Sequence, residues 1–327
     1  MPLVCFDDGG SEDSEHTSSS DNNKHERFSK GTPERKLGML RRVFSRQNTY
    51  LAALKDAQPG DGIGFPHAYD GERPYVDYEF LKTCKALRRS SGAYRFNDNI
   101  VIKVGDTSRM SEAATMRLLS EKTTIPIPTV HDAYIQEDGC GVIIMEYVEG
   151  VTLDKAWPTY DLAQKQSIVH QLKRYMNELR QIQSTVISSV DGEPCCDQFF
   201  SWDMREYGPY STEMQFHEGL VQALQERADH SWSRMVARFL RSMSGHETVL
   251  THNDLNPSNI LVHDGAVVTI LDWELAGFYP DYWEYIEAYL FADWQSVWVA
   301  DSIPDKILQP KRTELAFMLH ARDIMWP

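Results

Sequence analysis

Hydrophobic and polar positions follow two different periods along this chain, and the change falls near residue 150. Before it, short apolar runs such as 100–104 and 141–145 lie between turn residues, which predicts strands. After it, a segment behind Asp161 repeats apolar residues at steps of three and four, which predicts an amphipathic helix: Ile168, Leu172, Met176 and Leu179. The pattern predicts an α+β chain whose first part is rich in strands and whose second part is mainly helical.

A hairpin is predicted where the apolar runs 260–262 and 267–271 flank His263-Asp264-Gly265, a sequence typical of a tight turn. The two strands of a hairpin lie side by side. We therefore expect the residue before the first strand, Asn259, to lie next to the residue after the second strand, Asp272.

Asp254 precedes this hairpin by a few residues, in a run that begins at His252. It is placed to accept the proton of an incoming hydroxyl, and Asn259 and Asp272 offer the hard oxygen ligands that Mg²⁺ prefers. Phosphoryl transfer requires an aligned acceptor and neutralised phosphate oxygens. The set therefore favours transfer from a magnesium-bound nucleotide over a hairpin with ordinary turn residues.

The segment 252–272 resembles the catalytic and metal-binding loops of the aminoglycoside phosphotransferase (APH) family. The family motif is His-Gly-Asp, four residues, Asn and a later Asp, and Asn253 stands here where glycine is usual. The resemblance implies that Asp254 is the catalytic base and that Asn259 and Asp272 hold magnesium. His252 would orient the loop without proton chemistry of its own.

The same resemblance, which covers about residues 85–300, carries expectations for the whole protein. It implies a bilobal protein-kinase-like fold with a small antiparallel-sheet N-lobe and a larger, mainly helical C-lobe. It also implies ATP and Mg²⁺ as cofactors and a hydroxyl of a small molecule as the acceptor of the γ-phosphate. The preference for ATP over GTP rests on this analogy.

A smaller lobe should grip the triphosphate, and the strands predicted at 90–96 and 100–104 supply one. Lys103 lies in the second strand, where a buried ammonium is costly unless it is paired. Kinase-like folds pair such a lysine with the α- and β-phosphates and with a helix glutamate, for which Glu112 is the candidate. The alternative is a strand-edge lysine that points at water.

Two further elements complete the predicted nucleotide site. The phosphate-covering loop has a single glycine, Gly92, preceded by Ser91, and we expect backbone N–H groups there to meet the phosphates. By resemblance, the hinge that faces adenine consists of Glu146, Tyr147 and Val148, with backbone groups contacting the base.

The segment after Asp272 distinguishes between kinds of kinase. Protein kinases carry a long activation segment there, whereas this chain enters another helix almost directly, with no room for a peptide-docking platform. That helix and its end carry acids and aromatics suited to an ammonium-bearing acceptor: Asp281, Glu284, Tyr285, Glu287, Tyr289, Asp293 and Trp294. We favour the alternative in which the aromatics pack inside and the acids lie in water.

Composition bounds the remaining possibilities. A length of 327 residues suits two unequal lobes, with predicted boundaries at 1–32 for an acidic, Ser-rich disordered tail, 33–147 for an N-terminal extension and nucleotide lobe, and 148–327 for the helical catalytic lobe. Within the extension, 37–54 and 78–88 are predicted helices. A net charge of −15 argues against nucleic acid as a partner.

The absence of a long apolar run and of a basic, apolar leader predicts a cytoplasmic protein that does not engage a membrane. The five cysteines show no zinc-type spacing and are expected to be free thiols: Cys5, Cys84, Cys140, Cys195 and Cys196. The competing function is a nucleotide-binding pseudokinase that acts as a regulatory or scaffold module. The sequence leaves open the acceptor, including whether it is cationic, and the oligomeric state.

Overall fold

The computed structural model describes residues 76, 81, 83–87, 92–105, 109–200 and 206–326. All of these except Val76 belong to one compact unit that spans residues 78–327. The predicted tail at 1–32, the predicted helix at 37–54 and Ser91 lie outside the described residues.

The first lobe is a five-stranded antiparallel sheet with the order β1-β2-β3-β5-β4 and one helix packed on β4 and β5. Its elements are β1 Lys85–Ala86, β2 Ala93–Arg95, β3 Ile100–Gly105, α1 Arg109–Lys122, β4 Val130–Ile135 and β5 Gly141–Glu146. The turn between β2 and β3 is held by Asn97, whose side-chain oxygen accepts the backbone N–H groups of Asn99 and Ile100 at 2.8 Å. The hairpin predicted for 90–104 is confirmed across its described part.

The helix predicted for 78–88 is wrong at its end. Lys85 and Ala86 form β1, in antiparallel register with Arg95 and Tyr94 of β2. Sheet edges can impose strand geometry on residues with modest β propensity, because pairing with a neighbouring strand outweighs the local preference.

The second lobe is mainly helical. Its helices are α2 Leu153–Ala156, α3 Leu162–Leu179, α4 Glu213–Arg227, α5 Ser231–Ser242, α6 Trp283–Leu290, α7 Val297–Ala300, α8 Ile303–Ile307 and α9 Arg312–Met325. A 3-10 turn at Trp157–Thr159 follows α2. Its short strands are β6 Val151–Thr152, β7 Ser188–Ser189, β8 Cys195–Cys196, β9 Glu206–Tyr207, β10 Thr248–Thr251, β11 Ile260–His263, β12 Ala266–Ile270 and β13 Gly277–Pro280.

Helix α3 begins where the sequence predicts. The Asp161 carboxylate accepts the backbone N–H of Gln164 at 2.8 Å, and the Gln164 side-chain oxygen accepts the N–H of Asp161 at 3.1 Å. This reciprocal capping satisfies two of the N–H groups that a helix start leaves open. The predicted apolar stripe is buried in the core that joins the lobes.

Two small sheets of the C-lobe position the loop 252–259, which carries Asp254 and Asn259. The β11–β12 hairpin pairs with β6 directly after the first lobe, and β10 pairs with β13. Asp264 and Gly265 form the turn of the hairpin with φ angles of 46° and 76°, the left-handed pair of a type I′ turn. The loop from β10 to β11 therefore has both of its ends fixed in sheets.

The sheet lobe followed by a helical lobe confirms the predicted α+β, bilobal fold class. Cys84, Cys140, Cys195 and Cys196 are free thiols as predicted, and Cys5 lies outside the described residues. Among the described residues, no helix is both long enough and apolar enough to cross a bilayer.

Candidate active site

Lys103 lies at the centre of a buried ion cluster. Strand β3 places it between Ala93 and Ile143 of the neighbouring strands, and it is 3% exposed. Its Nζ is 2.8 Å from the Glu112 carboxylate and 2.7 Å from Oδ1 of Asp272. The alternative of a strand-edge lysine in water is therefore wrong, because the ammonium is buried and paired.

A third carboxylate, that of Glu274, lies 3.3 Å from the same ammonium. Burial raises the pKa of Glu112, while the charge of Lys103 lowers it and that of Asp272 raises it again. Three carboxylates around one ammonium leave an excess of negative charge, so this end of the cleft suits a further cation.

A cavity of about 270 Å³ opens between the sheet and the C-lobe beside this cluster. Its walls are mostly apolar, and Lys103, Glu112 and Asp272 form its charged end. The other lining residues are Leu87, Ala93, Val101, Met116, Pro128, Met145, Glu146, Tyr147, Val148, Gly150, Thr152, Leu261 and Leu271. Apolar walls with a few convergent polar groups are typical of a small-molecule site.

The three predicted hinge residues line this cavity but differ in their backbone bonds. The N–H of Glu146 donates to Thr129 O at 2.9 Å, and the N–H of Tyr147 donates to Asn99 O at 2.7 Å. Val148 N–H has no partner within the described part of the chain. The Glu146 carboxylate is engaged by Thr129 at 2.9 and 3.1 Å. The Val148 amide is therefore the hinge donor available to a ligand.

Gly92 is required by the backbone at the start of β2. Its φ is 60°, and a Cβ at this position would lie 2.2 Å from the carbonyl oxygen of Val104. Gly92 O also accepts the N–H of Val104 at 2.9 Å. A side chain here would force the hairpin apart.

His252 holds the loop 252–259 in place as a buried, neutral imidazole. One ring nitrogen, Nε2, donates to Leu271 O at 3.0 Å, and Nδ1 accepts the backbone N–H of Asp254 at 3.2 Å. Burial lowers the pKa of His252 to about 4. A neutral ring that bonds backbone on both sides orients the loop, in keeping with the scaffold role implied for it.

Asp254 points both carboxylate oxygens at side-chain amides. Oδ1 accepts from Asn256 Nδ2 at 2.9 Å, and Oδ2 accepts from Asn259 Nδ2 at 2.7 Å. Burial raises the pKa of Asp254 to about 6, and the nearby charge of Asp272 contributes in the same direction. The carboxylate is thus held in one orientation with a basicity above that of an ordinary aspartate.

The β11–β12 hairpin brings Asn259 and Asp272 together. The N–H of Leu271 donates to Asn259 O at 2.8 Å, and Asp272 follows with a left-handed φ of 68°. Because Asn259 turns its amide nitrogen toward Asp254, its amide oxygen lies at the opposite end of the group. The structure therefore brings together Asp254, Asn259, Asp272, Lys103 and Glu112.

Glu284, on α6, holds the loop 252–259 by a hydrogen bond to its backbone. The sequence did not predict this role. Oε2 of Glu284 accepts the backbone N–H of His252 at 2.6 Å. Burial raises the pKa of Glu284 to about 7. The sequence offered one signal for this role. Residues 283–290 are aromatic or apolar apart from two glutamates, and an acid in a helix that is apolar on nearly all sides needs a partner inside the protein.

The expectation that the acids on and around α6 lie in water is wrong for both acids within the helix. Glu284 is 5% exposed and Glu287 is 8% exposed. The aromatic part of that expectation holds, because Tyr285 and Tyr289 are buried. Trp294, beyond the helix, is 49% exposed and stacks on Tyr289.

The donor set at the charged end fits a magnesium ion that is shared with a ligand. Within the described part of the chain, no group of three or more His, Cys, Asp or Glu side chains is arranged to hold a metal. One amide and one carboxylate, those of Asn259 and Asp272, match a Mg²⁺ ion that takes its other oxygens from phosphates and water. The excess of carboxylates around Lys103 supports the same fit.

The fold and this cleft define a kinase-like protein. The sequence profile of the phosphotransferase enzyme family (APH) matches residues 98–305. This match spans more than half of the chain, from the β2–β3 turn to α8, and the chain belongs to that family. No curated protein matches the chain.

Solved structures share the fold at low sequence identity. The GDP and kanamycin complex of APH(2")-IIia is 16% identical, with a TM-score of 0.52 over 75% of this chain and 85% of its own. A thermostable mutant of aminoglycoside phosphotransferase APH(4)-Ia, in ternary complex with ADP and hygromycin B, is 14% identical, with a TM-score of 0.51 over 75% and 87%. At these identities the likeness shows the fold.

Proposed function

We propose that this protein is an ATP- and Mg²⁺-dependent phosphotransferase that moves the γ-phosphoryl group to a hydroxyl of a small molecule. The observation that carries the proposal is the convergence of Lys103, Asp272, Asn259 and Asp254. Contacts of 2.7 Å join Lys103 to Asp272 and Asn259 to Asp254. Lys103 and Asp272 lie at the charged end of a cavity with apolar walls, and the β11–β12 hairpin sets Asn259, and through it Asp254, beside Asp272. This is the arrangement that nucleotide-dependent phosphoryl transfer needs.

In this proposal the nucleotide enters the cavity with its base toward the hinge. The Val148 N–H contacts the base, and Glu146 and Tyr147 line its pocket. The backbone at Ser91 and Gly92 covers the phosphates. Lys103, steadied by Glu112, contacts the α- and β-phosphates, which take the place that Asp272 holds on its ammonium.

Asn259 and Asp272 hold the magnesium ion in this proposal. A magnesium ion held there would supply positive charge that neutralises the charge developing on the phosphate oxygens. Asn259 would serve both partners, because its amide nitrogen donates to Asp254 at 2.7 Å and its amide oxygen is a hard ligand of the kind that Mg²⁺ prefers.

Asp254 receives the proton of the acceptor. The acceptor oxygen forms a bond to the γ-phosphorus while the bond from that phosphorus to the β-phosphate oxygen breaks. ADP leaves with the bonding electron pair, and the hydroxyl proton passes to Asp254. The raised pKa of Asp254 favours this step, since a base whose pKa lies closer to neutral pH accepts a proton more readily.

The acceptor is a small molecule in this proposal. Support comes from the family and from neighbours whose complexes contain kanamycin or hygromycin B. The test is to incubate the protein with a metabolite extract, Mg²⁺ and isotopically labelled ATP, and to search by mass spectrometry for labelled phosphate monoesters. Tight nucleotide binding without any labelled ester, across extracts and a panel of sugars, alcohols and amino alcohols, would favour the pseudokinase instead.

The rate should rise with pH on the acidic side. Because Asp254 acts as a base only when ionised, kcat/KM for Mg·ATP is expected to increase through an apparent pKa of about 6 and to level off above neutrality. The acidic limb of the kcat profile should lie at lower pH than that of kcat/KM. The charge of Asp272 raises the pKa of Asp254, and a bound magnesium ion would offset that charge. A pH series in the presence of saturating acceptor measures both.

Glu284 is the group that could imitate this limb, because its pKa is raised to about 7. Glu284→Gln keeps a carbonyl oxygen to accept the His252 N–H but no longer titrates. The limb near pH 6 should persist in this variant. A profile that is flat from pH 5 to 8 in the wild type, or that loses its limb in Glu284→Gln, contradicts the assignment to Asp254.

A further inference from the structure

Asn253 occupies a position that usually demands glycine. Its φ is 67°, a left-handed conformation that asparagine tolerates better than most residues. The side chain is buried, with 1% of the residue exposed. Asn253 directly precedes Asp254, so its conformation sets the direction in which the proposed base leaves the loop.

The Asn253 amide is tied down through its nitrogen alone. Nδ2 donates to Asp197 Oδ2 at 2.8 Å and to the Tyr279 hydroxyl at 3.2 Å. Its oxygen, Oδ1, is buried without a hydrogen-bond partner in the described part of the chain. The Asn253 side chain thus makes its contact with Asp197 through Nδ2, while its Oδ1 stays without a partner among the described residues.

Asp197 is a fully buried carboxylate that accepts three hydrogen bonds within the described part of the chain, all from neutral donors. Oδ1 accepts from the backbone N–H of Phe199 at 2.8 Å, and Oδ2 accepts from Asn253 Nδ2 and from Trp283 Nε1, both at 2.8 Å. Burial of a carboxylate without a cation is costly, and the pKa of Asp197 is raised by that burial. The residue joins the segment after β8, the loop 252–259 and the start of α6.

The residue before Asp254 is therefore held from two directions. Glu284 on α6 accepts the backbone N–H of His252 at 2.6 Å, which fixes the main chain directly before Asn253. Asp197 fixes the side chain of Asn253, which lies 56 residues away in the sequence. Neither contact alone determines both the position of the loop and the rotation at Asn253.

We propose that Asp197 is a positioning residue for the phosphoryl transfer proposed above, and that it acts through Asn253. By holding the amide, Asp197 keeps the left-handed turn closed and Asp254 directed at the acceptor hydroxyl. The inference rests on the proposed function for its kinetic consequence. Its structural consequence, a more mobile loop when the contact is lost, is independent of that function.

The test compares Asp197→Asn, Asn253→Gly and the double variant with the wild type. Asp197→Asn keeps the shape but removes the charge and one of the two acceptor oxygens, which weakens the bond from Asn253 in either orientation of the new amide. The value of kcat should fall about 10- to 100-fold because the base is misdirected. Affinity for Mg·ATP should stay within about threefold, since the nucleotide cleft is untouched. In the Asn253→Gly background, the Asp197 substitution should change kcat by less than about twofold, because contacting residues are not additive.

Hydrogen exchange supplies a readout that needs no turnover. Amides of residues 252–254 should exchange about tenfold faster in Asp197→Asn and in Asn253→Gly, the factor that corresponds to one hydrogen bond. Asp305→Asn is the matched control. Its carboxylate accepts from the hydroxyls of Tyr285 and Tyr289 on α6, so its loss perturbs the same helix and should leave exchange at 252–254 unchanged.

Three results would overturn the inference. The first is wild-type exchange at 252–254 in a folded Asp197→Asn variant. The second is the same fold-loss of kcat on replacing Asp197 in both backgrounds, which would place its effect elsewhere. If Asp197→Asn does not fold, Asn253→Gly decides, and exchange within twofold of the wild type would show that the tie has no effect. If the wild-type protein shows no turnover, the proposed function is wrong. The hydrogen-exchange result at residues 252–254 then still decides whether Asp197 positions the loop.

Discussion

Asp254→Ala is expected to lower kcat by about 10²–10⁴-fold, the range typical of a lost general base, with Mg·ATP affinity within about threefold of the wild type. The physical reason is that, among the described residues, the Asp254 carboxylate accepts hydrogen bonds from Asn256 and Asn259, neither of which lines the cavity. Its removal leaves the phosphate contacts in place. Steady-state kinetics with an acceptor that the wild-type protein phosphorylates measures kcat. Calorimetric titration of Mg·ATP measures the affinity separately.

Loss of folding is excluded by a stability measurement on the same variant. The pKa of Asp254 is higher in the folded protein than in the unfolded chain, so the folded state binds this proton more tightly. The ionised group therefore opposes folding increasingly as pH rises from about 4 to about 6, and fully above that. Replacing it should leave the Tm at neutral pH unchanged or raised, apart from the two hydrogen bonds lost with Asn256 and Asn259.

The matched control is Asp264→Asn. Asp264 lies in the exposed turn of the hairpin that carries Asn259 and Asp272, with a left-handed φ of 46° that asparagine tolerates. This change removes a carboxylate from the same segment and should leave kcat unchanged. Turnover in Asp254→Ala within about threefold of the wild type would remove the residue from the base role.

The sequence predicted best those parts of the site that are local in the chain. Asn259 and Asp272 meet because a two-residue turn closes a short hairpin, and both strands and turn can be recognised from composition. Lys103 and Glu112 are nine residues apart, on a strand and the helix that follows it. Such pairs need no knowledge of how distant elements pack.

The groups that position the loop were missed because their contacts are distant in sequence. Glu284 meets His252 across 32 residues and Asp197 meets Asn253 across 56. An acid in an aromatic helix has the same composition whether it lies in water or under a loop. Only the contact between Glu284 on α6 and the backbone of His252 decides between the two. Without it, Glu284 and Glu287 were predicted to be exposed.

Strand β1 shows the same limit within the N-lobe. Lys85 and Ala86 have little intrinsic preference for a strand, and the apolar spacing of their surroundings favoured a helix. Pairing with Tyr94 and Arg95 decides their conformation. Tertiary context overrides local propensity most easily at such short edge segments.

Asp272→Asn should remove the magnesium-dependent part of ATP binding, with a loss on the order of 100-fold or about 2.7 kcal/mol, the scale of a strong charged contact. Asparagine is chosen over alanine because the φ of 68° suits it better. The variant also frees Lys103 from a partner at 2.7 Å. ATP binding without magnesium should therefore stay equal or become tighter, so that the affinities with and without the ion converge.

Glu274→Gln tests whether Asp272 or its neighbour holds the ion. The Glu274 carboxylate lies 3.3 Å from Lys103 and its side chain is 33% exposed, so water screens its charge and its loss should cost only a few-fold in affinity. Calorimetric titrations of ATP into both variants, with Mg²⁺ and with a chelator, separate the two carboxylates. Normal Mg·ATP affinity in Asp272→Asn, together with a lost increment in Glu274→Gln, would transfer the metal from Asp272 to Glu274.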